Sequence, residues 1–162
     1  MKGNLKMNLW QKIGKLFFTA LCCGVLFTTA CGGNPEKQDI IALSKAFKDY
    51  AGKDQEFQQK MKTVQTQDDV KAVIAEYVPL FEKTPQELRN LTMKSEEGKK
   101  LQQELADGYE KIANITRKML NTDLTDQAAM IELNKESTEV QMQMQKTLVR
   151  ISELAGKHGL SK

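Results

Sequence analysis

From Ile40 to Leu154, apolar side chains recur at intervals of three and four residues, and no stretch sustains a period of two. Residues at the first spacing fall on one side of an α-helix, whereas a half-buried strand needs alternation. The chain is thereby committed to helices, and each helix must bury its stripe against another. The first stripe is Ile40, Leu43, Phe47, Tyr50, Phe57, Met61 and Val64, with Asp54 sitting on the seam where it is interrupted. The second is Val70, Val73, Ile74, Tyr77 and Phe81, followed by Leu88 and Leu91. The third is Leu101, Leu105, Gly108, Ile112, Ile115 and Met119. The fourth runs Met130, Leu133, Ser137, Val140, Met144, Thr147, Ile151 and Leu154.

Local signals place the ends. Asn34 before Pro35 reads as an N-cap with proline at the first helical position, and that helix is expected to run to about Thr66. Thr66 with Asp68 and Asp69 marks the next start, since acids there complement the helix dipole. Pro79 is expected to kink or interrupt this arm. Thr84, Pro85, Gln86 and Glu87 read as a capping box that restarts a short helix. Ser95 with Glu96 and Glu97 caps the third helix, and Gly108 on its stripe is expected to admit a close backbone neighbour. A polar break over 121–126 precedes a last helix from about Thr125 to Ala155, with Gly156 as its C-cap. The expected fold is all-α: an elongated antiparallel bundle of about four helices, one arm broken at Pro79 and Pro85. The polar seam members Asp54, Ser137 and Thr147 imply either a leaky core or a groove or partner surface.

The N-terminus has a different character. Residues 1–15 are polar and basic, residues 16–27 form an uncharged, mostly apolar run, and Thr28, Thr29 and Ala30 supply small residues before Cys31. That is the order of a secretory signal peptide. The apolar run is too short for a membrane span, which needs about 20 residues. Either Met1 or Met7 is read as the start. The expected organisation is a signal peptide over 1–30, a modified cysteine and tether over 31–36, the bundle over 37–156 and a tail over 157–162.

The end of this leader resembles the lipobox of bacterial lipoproteins, in which a small residue precedes a cysteine that takes a diacylglycerol before cleavage. Ala30-Cys31 carries the resemblance. The position three before the cysteine, commonly aliphatic in that family, is Thr28, with Leu26 and Phe27 just upstream. Thr28-x-Ala30 also satisfies an ordinary signal-peptidase site. Both readings cut the same bond and differ in whether Cys31 is acylated. The resemblance implies a lipid membrane as partner through acylated Cys31. Gly32, where an aspartate would favour inner-membrane retention, implies the outer membrane of a Gram-negative source, facing periplasm or cell surface.

Charge and composition exclude more than they assign. The formal charge of +3 comes from the leader: Lys2, Lys6, Lys12 and Lys15 precede Cys31 with no acid. Without those four, 20 basic residues face 21 acidic ones, a net of −1, with signs alternating. Nucleic-acid binding needs a clustered basic surface, so it is not expected. Cys22 and Cys23 leave with the leader, and Cys31 alone cannot form an intrachain disulfide. Carboxylate-bridged metal sites in bundles need paired Glu-x-x-His motifs, and His158 is the single histidine. Met142 and Met144 have the soft thioethers that suit Cu(I), but residues two apart on a helix point away from each other. No cofactor and no catalysis are expected. The sequence reads as a non-catalytic helical binding module with a protein partner in the envelope. The alternatives are a homo-oligomeric, structural coiled-coil lipoprotein or a soft-metal or small-ligand carrier.

Overall fold

A computed structural model describes residues 33–160, with the side chains of Asp49, Ala51 and Asp54 set aside. The leader, the cleavage residues Thr28, Thr29, Ala30 and Cys31, and the seam position of Asp54 lie outside the described residues. Within them are four helices: α1 (Pro35–Thr63), α2 (Gln67–Arg89), α3 (Glu96–Asn121) and α4 (Gln127–Lys157). No strand occurs among the described residues.

Each start is capped by a side chain that satisfies otherwise unbonded amides. Asn34 Oδ1 accepts from the Lys37 amide at 3.3 Å, with Pro35 opening α1. At α2 the bonds are reciprocal: Thr66 Oγ1 accepts from the Asp69 amide at 3.1 Å, and Asp69 Oδ2 accepts from the Thr66 amide at 2.9 Å. Because Thr66 caps α2, α1 stops earlier than expected, at Thr63. Ser95 caps α3 and Asp126 caps α4, whose Oδ1 takes the amides of Ala128 and Ala129 at 2.9 and 3.2 Å. The Thr66 hydroxyl bond holds the Asp69 carboxyl below the usual carboxylate range. A lowered folded-state pKa stabilises the fold above the unfolded value and is lost as pH falls through the folded one. Thr66→Ala is expected to cost about 1 kcal/mol. Thermal unfolding at neutral pH should show this loss, and it should shrink in titrations carried well below the carboxylate range.

Four expectations need correction. The second arm is not broken: α2 continues through Pro79 and Pro85 to Arg89. Pro79 and Ala75, whose carbonyl loses its donor, lie on the exposed side, where water meets the orphan. Ile74, Tyr77, Phe81, Pro85 and Leu88 are buried, so packing on both sides of the prolines holds the helix together. The capping box at Thr84 is not made; its hydroxyl donates backward to the Leu80 carbonyl at 2.9 Å, and Glu87 pairs with Lys83. The last helix does not stop at Gly156 either. It ends in a Schellman motif in which Gly159, at φ +65°, sends its amide to the Gly156 carbonyl and Leu160 sends its amide to Ala155 at 2.8 Å. Leu160 is buried, so the bundle extends beyond residue 156. Finally, the neighbour at Gly108 is a side chain rather than a backbone: a Cβ there would lie 2.1 Å from Met144 Sδ.

Ion pairs and polar contacts give the topology. Along α3 and α4, Glu104 meets Arg150, Lys111 meets Gln143 and Lys118 meets Glu136, so the two run in opposite directions. Along α2 and α3, Glu82 meets Arg117 and Arg89 meets Asp107 and Glu110, again in reverse order. Between α1 and α3 the order is shared: Asp39 meets Ser95, and Tyr50 meets Tyr109. This is an up-down-up-down bundle. α1 and α3 approach across one diagonal, while α2 and α4 lie on opposite flanks with no backbone approach between them. The core is contiguous along all four stripes. Its widest side chains form one aromatic group: Phe57 lies edge-on to Tyr77 and Phe81, at 5.0 and 6.0 Å, and Tyr50 lies edge-on to Tyr109 at 4.4 Å.

Candidate functional site

Between the last half of α3 and the first half of α4 lies an open groove of about 940 Å³. Its floor contains the buried Ile115, Leu133 and Val140. The α3 wall carries Lys111, Arg117 and Lys118, and the α4 wall carries Glu132, Glu136 and Glu139. Lys118 donates to both oxygens of Glu136, at 2.6 and 2.8 Å, and Lys111 donates to Gln143 at 2.8 Å. Arg117 is tied back to Glu82 on α2. The groove thus has an apolar floor, a basic wall and an acidic wall, each held by its own helix.

Toward the other end, the same two helices are clamped. Arg150 donates to Glu104 at 2.9 and 3.1 Å and also reaches Glu97. The Glu97 and Glu104 carboxylates push the guanidinium above its ordinary range. The Thr147 hydroxyl donates to Glu104 at 3.0 Å, which explains how this polar seam residue is buried without cost. Thr147 is thus part of a clamp, not a leak; the groove lies further along, from Gln143 back to Ala129.

One buried charge was missed by periodicity. Asp39, 1% exposed, accepts the Lys94 amide at 2.9 Å, the Ser95 amide at 2.7 Å and the Ser95 hydroxyl at 2.6 Å. The Ser95 oxygen in turn accepts from Gly98 at 2.9 Å. Asp39 therefore completes the α3 N-terminus from a different helix, where the positive end of the helix dipole favours a carboxylate. The signal was present: Asp39 stands four residues before Leu43, on the stripe side of α1.

The remaining sequence candidates separate. Met144 is buried against Gly108, whereas Met142 is 52% exposed, so the two thioethers do not converge. His158 is the C-cap of α4, largely covered, with Nε2 3.2 Å from Glu36 Oε2. Among the described residues no three His, Cys, Asp or Glu side chains gather to hold a metal, and no helix is long and apolar enough to cross a membrane.

The all-α bundle is that of a bacterial lipoprotein. The chain belongs to the family described as Uncharacterised lipoprotein PM1805, whose model matches residues 37–159. No curated protein and no solved structure matches it. Membership makes the protein an exported, lipid-anchored component of the cell envelope.

Proposed function

We propose that the protein is a non-catalytic binding module, anchored by acylated Cys31 after cleavage behind Ala30, whose α3–α4 groove takes a segment of another envelope protein. The observation that carries this reading is the groove: an apolar floor between a basic and an acidic wall. Such a floor fits the apolar face of a helix, and the two walls orient it through its flanking charges. An outer-membrane position in a Gram-negative source follows from Gly32 by resemblance.

The test places a photo-crosslinking amino acid at Asn114 or Gln143, both on the groove, or at Gln86 on the exposed side of α2. Irradiation in living cells is expected to give a discrete adduct from the groove positions and none from Gln86. Lys118→Glu should weaken that adduct by opposing Glu136. Equal adducts from both faces, or none from the groove, would overturn the reading. Intact mass of the native protein checks the anchor separately: a chain beginning at Cys31 should carry the mass of two or three acyl chains.

A second reading has one observation of its own. Ile131, Met142 and Val149, 63%, 52% and 41% exposed, fall on one line along the outside of α4. That favours self-association through α4, and sedimentation of the full-length protein over a range of concentrations discriminates: a dimer lost in Met142→Glu supports it.

A further inference from the structure

The chain's own covalent geometry selects the end of the bundle that meets a membrane. Only Gly32, Gly33 and Asn34 separate Cys31 from Pro35, where α1 begins. Fully extended, that connection reaches about 14 Å. An acylated Cys31 therefore holds the first turn of α1 close to the headgroups. That turn is fixed between two others. Asp39 binds the start of α3 through Lys94 and Ser95, and Glu36 lies beside His158 at the end of α4. All three must approach the surface together.

This end is basic. Lys37, Lys94, Lys99, Lys100 and Lys157 stand on it against Glu36, Glu96 and Glu153. Its other acids are engaged: Glu87 by Lys83, Glu97 by Arg150 and Asp39 by backbone amides. Lys37, Lys100 and Lys157 make no ion pair among the described residues, while Lys94 rests on Gln38 and Lys99 on Glu96. At the opposite end stand Lys62 and Lys71 beside Asp68, with Asp69, Asp123 and Asp126 each accepting a backbone amide.

We infer that the basic end seats on the anionic headgroups of the leaflet that holds the anchor. The inference rests on the reading of Cys31 as acylated. Attraction to an anionic surface acts within a Debye length, about 8 Å at physiological salt. The short connection keeps these lysines near that range at all times, so weak individual contacts add up as they would in a linked pair of sites.

The test uses acylated protein purified from its native membranes and reconstituted in vesicles. One set is phosphatidylcholine alone; the other contains about one-third phosphatidylglycerol. A brief acetylation of lysines is read by mass spectrometry. At about 50 mM salt, Lys37, Lys100 and Lys157 are expected to react about three-fold more slowly on anionic vesicles, and the difference should vanish near 0.5 M. Lys62 and Lys71 should react equally on both. The double variant Lys100→Glu, Lys157→Glu should lose the dependence of Lys37 on lipid composition. Equal reaction of the basic-end lysines on both vesicles, or protection of Lys62 and Lys71, would overturn the seating alone. Failure of the protein to float with neutral vesicles would overturn the anchor reading, and the seating with it.

Discussion

Asp39→Ala is expected to lower stability by about 2–4 kcal/mol, because it strips the α3 N-terminus of an acceptor that serves two amides and a hydroxyl at once. For a domain of this size each kcal/mol shifts the unfolding midpoint by about 4 °C, so the loss should read as about 8–16 °C in helical circular dichroism. The burial of Asp39, 1% exposed, means water does not restore the Ser95 bond in full. Asp39→Asn keeps the shape and one acceptor oxygen, yet offers an amide donor where a donor already points, and should fall between wild type and alanine. A midpoint within about 1 °C of wild type for Asp39→Ala would show that the contact between α1 and α3 does not depend on this carboxylate.

Gly98→Ala is expected to destabilise by about 2–3 kcal/mol net, even though alanine is the better helix former by about 1 kcal/mol. A Cβ at Gly98 would stand 2.2 Å from Asp39 Oδ2 and 2.6 Å from its Cβ. Asp39 is pinned by its bonds, so the helices themselves must part. Gly108→Ala is the internal control. There the Cβ meets the thioether end of Met144, which can swing aside, and the helix-propensity gain offsets most of the strain. The two glycines thus separate a rigid obstacle from a flexible one in chemical denaturation, with Asp39→Ala/Gly98→Ala showing strong coupling. Equal costs at both glycines would mean that Asp39 is free to move.

How much of this was legible depends on the distance over which each signal acts. The four stripes were readable because burial imposes a period on the chain itself, and Ile40, Leu101 and Met130 sit in the core where that period puts them. Asn34, Thr66 and Ser95 were readable because a cap bonds to amides within three residues. Pro79 and Pro85 misled because their local penalty is outweighed by the packing of Phe81 and Leu88 on another helix, which no local rule contains. Gly156 misled for the same reason: the buried Leu160 draws the stop outward to Gly159. Asp39, the Arg150 clamp and the α3–α4 groove join residues far apart in the chain, and the sequence carries only hints of them, an acid on a stripe and polar residues on a seam.

The direction of the helices has one more consequence. The groove is lined on α4 by residues from Ala129 to Gln143, while α4 ends at Lys157 beside the start of α1. At 1.5 Å per residue, those positions lie about 20–40 Å along the bundle from the end tied to Cys31. A bundle standing on that end works as a spacer of fixed height. On that inference, a partner of the proposed groove would have to carry its binding segment at matching elevation.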